Sequence, residues 1–127
     1  MRRATSRTYV AASALGGRGV FAGRRFAAGE EVEVCPVIVV AAEHVEALNE
    51  SSLGEYWYGW DDDGAAAIAM GHGSFYNHAL DPTCSYEFHP VEDALVIRAR
   101  RDIREGEELT LDYTGGGASE LWFEPST

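Results

Sequence analysis

Turn-forming residues interrupt this chain at short intervals, which leaves room only for brief secondary-structure elements. The turns occur at Gly16-Gly17-Arg18-Gly19, Ala28-Gly29, Asp61-Asp62-Asp63-Gly64, Asp81-Pro82, Glu105-Gly106 and Gly115-Gly116-Gly117. Between them, β-branched or alternating apolar residues predict strands at 31–40, with a bend at Pro36, at 95–99 and at 109–113. Residues 42–49 predict a helix of one or two turns. We therefore expect a mainly β domain built from many short strands.

The length and composition favour a single globular domain. The 127 residues are enough for one compact domain, covering residues 1–127, and too few for two, and 46% of them are apolar. No segment approaches the roughly 20 apolar residues that cross a bilayer. Two cysteines are too few for a disulfide scaffold, which favours a reducing compartment. The sequence thus predicts a cytoplasmic domain with no membrane partner.

Charge is distributed unevenly along the chain, whose formal net charge is −11. Residues 1–29 hold six arginines and no acid, a charge of +6, whereas residues 30–127 hold four arginines and 21 acids, a charge of −17. There is no lysine. An isoelectric point near 4.6 argues against a protein that binds nucleic acid through its net field. Either the basic segment docks on the acidic body, or the acidic body attracts a basic partner while the Arg-rich start binds another ligand.

Two segments carry residues that could face a ligand. Gly17 and Gly19 lie in GGRGVFA at 16–22, where the missing side chains permit a close approach, although the third glycine of a dinucleotide fingerprint is absent. Asn77 and His78 stand between apolar and aromatic stretches in MGHGSFYNHALDPTCSY at 70–86. The residues alone leave open whether this pair is a satisfied core pair or a recognition element.

A third motif, REGEELTLDYTGG, occupies residues 104–116. In its predicted strand, Leu109, Leu111 and Tyr113 point to one side, and Thr110 and Asp112 point to the other. Tyr113 would end the strand immediately before a glycine run, a place where sites are often built. A buried tyrosine with a satisfied hydroxyl is the alternative.

Two further sets of side chains could form a site. His72, His78, Cys84 and His89 could ligate zinc, but their spacings of six, six and five residues do not match the tight pairs of zinc motifs, so we predict no metal. Aromatic residues are more numerous than a core of this size requires, which predicts an aromatic-lined pocket. They cluster at Tyr56, Trp57, Tyr58 and Trp60 and at Trp122-Phe123.

In their order and spacing, these motifs resemble the SET domain of protein-lysine methyltransferases. A GxG is followed by an AGE turn into a strand, then by NHxxxP and by GEELTxDY, and the match extends from about residue 18 to residue 122. The size is similar to that of the smallest members, which occur in bacteria and large DNA viruses. The resemblance implies several small β-sheets, one or two short helices, and a pseudoknot in which the C-terminal segment threads under a loop near the Asn-His pair.

The resemblance also implies S-adenosylmethionine as methyl donor and a set of residues around it. The residues that would contact the donor are Gly17, Arg18, Gly19, Asn77 and His78, with Trp122 covering the adenine. Tyr113 would be the catalytic residue, at which the methyl group passes to the lysine nitrogen. The substrate channel would be lined by Tyr56, Tyr58, Tyr86 and Leu111. Tyr86 would set how many methyl groups fit, with a bias toward low methylation states.

Three positions depart from the family pattern. Ala79 replaces the usual Ser after Asn-His, Thr83 replaces the Asn after the proline, and Cys35 replaces a Tyr of the channel wall. One wall of the channel would then come from Tyr56 or Tyr58. The cysteine-rich zinc segments that flank some SET domains are absent.

These observations lead to one leading function and two alternatives. The leading hypothesis is a methyltransferase that acts on lysine side chains of a basic protein (histone-like, ribosomal or host), without direct contact to nucleic acid and with a homodimer as a candidate assembly. The altered channel wall keeps open a catalytically weak SET-like module that binds basic peptides. The His and Cys set keeps open a small zinc protein.

Overall fold

A computed structural model describes residues 7–89 and 93–113 of the chain. Within these residues the chain forms nine strands: β1 (Thr8–Ala12), β2 (Arg18–Ala22), β3 (Glu31–Val40), β4 (Trp57–Gly59), β5 (Ala66–Ala69), β6 (Asn77–His78), β7 (Cys84–His89), β8 (Ala94–Ala99) and β9 (Glu108–Leu111). A 3-10 turn at Ala42–His44 runs into α1 (Val45–Asn49), and a second 3-10 turn covers Gly73–Phe75. The structure confirms the mainly β class and the short helix at 42–49.

The strands form two sheets, one of order β1-β2-β9-β6 and one of order β4-β5-β3-β8-β7. Every neighbouring pair is antiparallel except β6 and β9, which run parallel. Parallel neighbours cannot be joined by a tight hairpin and need a long connection. Here the connection contains β7 and β8, so two motifs that are distant in sequence lie side by side.

Strand β3 continues through Pro36 and changes its partner there. Its first part, up to Pro36, pairs with β8, whereas residues 37–40 pair with β5. The Pro36 carbonyl accepts a hydrogen bond from the backbone N–H of Met70 at 2.8 Å. A proline lacks the N–H that a central strand residue would donate, and a change of partner is a position that tolerates this loss. The feature predicted as a bend is therefore a junction within one continuous strand.

The alternation of inward and outward side chains predicted for residues 109–113 is wrong in β9. Leu109, Thr110 and Leu111 are all buried, and the strand ends at Leu111 rather than at Tyr113. Thr110 is buried because Thr83 satisfies it: the Thr110 N–H donates to Thr83 Oγ1 at 2.9 Å, and the Thr83 N–H donates to Thr110 Oγ1 at 3.1 Å. Thr83, which replaces the asparagine of the family pattern, is thus one partner of this reciprocal pair.

One hydrophobic core draws buried residues from both sheets. Its largest fully buried side chains are Tyr76, Phe26, Leu95, Ile97, Ile103, Leu109 and Leu111. Burial of such side chains stabilises each by about 1.5–3 kcal/mol relative to exposure. None of the described helices has the length and apolar character needed to cross a membrane.

Part of the basic segment docks on the body of the domain. The guanidinium groups of Arg7 and Arg24 lie 5.4 and 4.4 Å from the ring centroid of Phe26, and Arg24 forms an ion pair with Glu30. Arg7 also donates to the carbonyl of Val32 at 3.1 Å. For these two arginines the structure supports the docking interpretation of the charge pattern. The predicted pseudoknot passage and the glycine run at 115–117 lie outside the described residues.

Candidate active site

The parallel pairing of β6 with β9 brings the Asn-His and GEELTxDY motifs together. Asn77 pairs with Thr110, and His78 pairs with Leu111. On the other side of β9 lies β2, which starts in the glycine-rich segment. Three motifs that the sequence spreads over about a hundred residues thus lie on adjacent strands of one sheet.

Close approach to Gly19 shapes the first part of the site. A Cβ atom placed on Gly19 would lie 2.8 Å from Nδ2 of Asn77 and would also overlap the carboxylate of Glu108. Only glycine fits where these side chains approach the backbone. Gly17 has a φ of +60°, a left-handed conformation in the turn that leads into β2. The Asn77 amide donates to the Arg18 carbonyl at 3.1 Å and thereby joins β6 to this turn. The Arg18 guanidinium lies 4.7 Å from the ring centroid of Phe75.

His78 holds Tyr113 by a backbone hydrogen bond. The N–H of Tyr113 donates to Nδ1 of His78 at 3.0 Å, and the two rings lie 5.2 Å apart. Because Nδ1 accepts this bond, the imidazole proton resides on Nε2. Nε2 is buried and has no hydrogen-bond partner among the described residues. A buried donor without a partner is unusual in a folded protein and is often explained by a ligand or by a functional role.

The Tyr113 hydroxyl donates to the backbone carbonyl of Tyr76. Tyr76 in turn donates its own hydroxyl to Oε1 of Glu33 at 2.7 Å, and Oε2 of Glu33 accepts from the N–H of His72 at 2.9 Å. Burial raises the pKa of the Tyr113 hydroxyl and of the Tyr76 hydroxyl well above the usual value, so both phenols are neutral at physiological pH. Tyr113 is therefore fixed at both its backbone and its hydroxyl.

Tyr58 is the centre of an aromatic cluster beside Tyr113. Its ring centroid lies 5.4 Å from that of Tyr86, 6.2 Å from that of Phe88 and 6.3 Å from that of Tyr113, in edge-to-face arrangements. The Tyr58 hydroxyl is buried and donates to the Gly73 carbonyl at 2.7 Å. Burial raises the pKa of the Tyr58 hydroxyl and, to a smaller extent, that of Tyr86.

Two openings flank this cluster. The smaller has room for about 10 Å³ and is lined by Glu55, Tyr56, Trp57, Tyr58, Ser74 and Tyr113. The larger has room for about 400 Å³ and is lined by Leu80, Pro82, Cys84, Ser85, Tyr86, Arg100 and Asp112. Tyr86 lines the larger opening, and its ring contacts that of Tyr58, which lines the smaller one.

The structure places the remaining predicted residues as follows. Leu111 is completely buried at the end of β9, so its side chain contributes to the core and not to the surface of either opening. Cys35 is also completely buried and packs under Gly73, at which a Cβ atom would lie 2.9 Å from the Cys35 sulfur. Tyr58 and Tyr56 line the smaller opening, and Cys35 does not. Trp122 lies outside the described residues.

The four predicted zinc candidates do not converge. Within residues 7–89 and 93–113, no three His, Cys, Asp or Glu side chains are arranged to hold a metal ion. Nδ1 of His72 lies 2.6 Å from the Thr8 hydroxyl, and His78 holds Tyr113. Cys84 is buried in β7 and His89 is exposed at the end of that strand.

Sequence reasoning missed Glu108, Tyr76 and Glu33. Glu108 accepts from the Asn77 amide, and the Tyr76 carbonyl anchors the catalytic candidate Tyr113. Glu108 belongs to the quoted GEELTxDY motif and Tyr76 immediately precedes Asn77, so the motifs contained both residues. Glu33 gave no signal because the alternation of Glu and Val around it predicts an outward-facing side chain.

Comparison with known proteins agrees with this arrangement. The SET domain family matches residues 17–114. A histone-lysine N-methyltransferase specific for H3 lysine-37, from Schizosaccharomyces pombe, is 32% identical over 109 residues, which cover 85% of this chain and 71% of that protein. Human histone-lysine N-methyltransferase 2B is 36% identical over 110 residues, which cover 80% of this chain and 4% of the human protein.

Solved structures share the fold. CpSET8 of Cryptosporidium has a TM-score of 0.66 and 26% identity, over 84% of this chain and 56% of that one. A histone methyltransferase candidate of Plasmodium falciparum has a TM-score of 0.69 over 94% of this chain and 99% of that one, at 23% identity. The chain therefore belongs to the SET-domain family. The class of enzyme that this family and the relatives define is protein-lysine methyltransferase.

Proposed function

We propose that this protein transfers the methyl group of S-adenosylmethionine to lysine side chains of a basic protein substrate. The observation that carries the proposal is the position of Tyr113, a neutral phenol held by His78 on one side and lining an aromatic cleft on the other. A methyl transfer from a sulfonium to an amine needs a donor site and an amine channel that meet at one point. Tyr113 is the residue at which these two parts of the site meet.

The residues around Gly19 fit the proposed donor. The left-handed turn at Gly17 has open space beside its backbone, and Arg18, Asn77 and His78 follow it in the same sheet. The buried Nε2–H of His78, in β6 of the same sheet, has no hydrogen-bond partner among the described residues. When bound, S-adenosylmethionine supplies an electrophilic methyl group on a positively charged sulfur. The predicted adenine contact of Trp122 remains part of this proposal.

The aromatic cluster suits the amine. A free lysine has a pKa near 10.4, so the ammonium form dominates at neutral pH and cannot attack a methyl group. A narrow channel lined by Tyr56, Tyr58 and Tyr113 removes water from the ammonium and favours its neutral form. Because the Tyr113 hydroxyl donates a hydrogen bond to the Tyr76 carbonyl, it can orient the reacting groups without acting as a base. Alignment of this kind can contribute about 7–11 kcal/mol.

The charge of the chain supports a basic protein as substrate. Residues 30–127 carry −17, which would attract a Lys- and Arg-rich segment and speed its association. Histone-like, ribosomal and host proteins all have this chemistry, and the curated relatives are named for histone lysines. The chain contains no lysine, so it offers the channel no side chain of its own. The proposal includes a cytoplasmic location and a homodimer.

Tyr86 is proposed to limit the number of methyl groups. Its ring is half-buried, lines the larger opening and contacts the ring of Tyr58. A bulky ring beside the amine would leave little room for added methyl groups and so favour mono- over trimethyl-lysine. Mass spectrometry of a modified peptide would show mainly the lower states, and a product that is mainly trimethylated would contradict this assignment.

A methyl-transfer assay with labelled S-adenosylmethionine and a library of Lys- and Arg-rich peptides tests the function. The expected result is label on lysine, reduced about a hundredfold in Tyr113→Phe, in line with the loss of one transition-state contact. Tyr9→Phe is the matched control, because Tyr9 stacks on Phe21 in the β1–β2 ribbon, away from the cleft. Tight donor binding without transfer to any peptide would instead favour the catalytically weak binding module.

A further inference from the structure

Glu108 occupies the centre of a polar cluster, and the proposed function assigns this carboxylate no role. It lies at the start of β9, where its two carboxylate oxygens accept from the Ser13 hydroxyl at 2.9 and 3.0 Å. Oε2 also accepts from Nδ2 of Asn77 at 2.9 Å. The Ser13 hydroxyl oxygen accepts the N–H of Leu15 in the same hairpin. The carboxylate thus joins the β1–β2 hairpin, β9 and β6 at the face of Gly19.

No cationic side chain balances this carboxylate in the described part of the chain. The ion pairs there are Arg24–Glu30, His44–Glu43, Arg98–Glu87 and Arg101–Glu107. The donors that reach Glu108 are a neutral hydroxyl and a neutral amide. A half-buried carboxylate that receives only neutral donors leaves a local negative potential, which a positively charged ligand can neutralise.

The cluster also fixes the direction of the Asn77 side chain. Both hydrogens of its Nδ2 are used, one by the Arg18 carbonyl and one by Glu108. An amide whose nitrogen faces these two groups presents its oxygen to the opposite side. That oxygen can only accept hydrogen bonds, so its partner must be a donor.

We propose that Glu108 is a positioning residue for the methyl donor: it orients Asn77 so that Oδ1 accepts a hydrogen bond from the donor's α-ammonium group, and its charge favours that cation. This inference rests on the proposed use of S-adenosylmethionine. It assigns the part of the site near Gly19 to the amino-acid end of the donor. A purely structural role, in which Glu108 only ties the hairpin to β9, is the competing explanation.

Ligands that differ in the amino group separate these roles. S-adenosylmethionine and S-adenosylhomocysteine both carry the α-ammonium, whereas methylthioadenosine keeps the nucleoside and the thioether and lacks the amino-acid part. Binding of each is measured by calorimetry on wild type and on Glu108→Gln, which keeps the size of the side chain and removes its charge. We expect the affinity of the two ammonium ligands to fall at least about tenfold and that of methylthioadenosine to stay within about twofold.

Glu107→Gln is the matched control, since Glu107 is the neighbouring residue, pairs with Arg101 at 3.0 Å and does not contact the cluster. It should leave all three affinities unchanged. If Glu108→Gln does not fold, ligand binding to the wild type provides a second test. An S-adenosylhomocysteine analogue without the amino group should bind at least about tenfold more weakly than the parent compound.

Three results would overturn the inference, and they are distinguishable. Equal affinity of wild type and Glu108→Gln for S-adenosylmethionine would show that the carboxylate does not act on the donor. A parallel loss for methylthioadenosine would show a structural role only. Failure of the wild type to bind S-adenosylmethionine would remove the proposed function, and the inference with it.

Discussion

The backbone N–H of Tyr113 donates a hydrogen bond to Nδ1 of His78 at 3.0 Å. The phenol proposed to guide methyl transfer is therefore positioned by a histidine from a parallel neighbouring strand rather than by its own strand, which ends at Leu111. His78 acts here as a hydrogen-bond acceptor, and its role depends on the neutral form of the imidazole.

Replacement of His78 should discriminate between its two ring nitrogens. The oxygen of Asn can take the place of Nδ1, whereas that of Gln reaches toward Nε2. We expect His78→Asn to keep most of kcat and His78→Gln to lose about tenfold, because the Tyr113 N–H would be left without its acceptor. Steady-state kinetics and the melting temperature would be measured beside His44→Gln, a change at an exposed histidine. Equal loss in the Asn and Gln variants would contradict this account.

Gly19→Ala should abolish donor binding. The added Cβ would lie 2.8 Å from Nδ2 of Asn77 and overlap the Glu108 carboxylate, so both side chains would have to move. Gly59→Ala is the control, because a Cβ on Gly59 in β4 meets nothing within 4 Å. Calorimetric titration with S-adenosylmethionine should show no binding to the first variant and wild-type binding to the second. Normal affinity in Gly19→Ala would refute the assignment of this glycine.

Thr83→Val should destabilise the fold through a hydrogen-bond defect and not through a cavity. Valine keeps the volume but leaves the buried N–H of Thr110 without an acceptor, which costs about 1–3 kcal/mol. Thr83→Ser keeps the hydroxyl, and its melting point should drop much less. Urea unfolding would give the free energy for each variant. If Val and Ser lowered it equally, the reciprocal Thr83–Thr110 pair would not be a significant source of stability.

Alkaline pH should unfold the protein by ionising buried tyrosines. Burial raises the pKa of Tyr58, Tyr76 and Tyr113 above the value of about 10 that the unfolded chain has. Since the folded state holds these protons more tightly, their contribution to stability is complete below pH about 10 and is lost as the pH rises beyond it.

Tyrosinate absorbance and near-ultraviolet circular dichroism, followed together, check the alkaline transition. The buried phenols should ionise only as the tertiary signal disappears. Complete ionisation of all six tyrosines with an intact tertiary signal would be inconsistent with the burial of this cluster.

The sequence predicted the elements of this fold better than their arrangement. Turn residues and alternation located the strands, and the order of the motifs led to the family. The parallel pairing of Asn77 with Thr110 could not be derived from them, because alternation reports which face of a strand is buried and not which strand lies beside it. Thr110 shows the same limit: it reads as outward-facing until its partner Thr83 is known.

The candidate site followed a similar division. Asn77, His78 and Tyr113 were marked by motifs, and the structure brings them together. Glu108 belongs to the GEELTxDY motif. Its role depends on its close approach to Gly19 between β9 and β2, which no local sequence pattern predicts. Resemblance identified the residues of the site, and tertiary contacts determine what each one holds.

The place of β9 between β2 and β6 has a consequence for how the protein matures. The ribosome synthesises the chain from its N-terminal end, so the β1–β2 hairpin can form early. Asn77 and His78 in β6 can pair only after β9 has been synthesised. That partner is the last strand of the described residues, and it occupies the middle of its sheet. Until it inserts, the glycine turn and the Asn-His pair belong to separate pieces of chain. We therefore expect the candidate site to form only after synthesis has passed Tyr113.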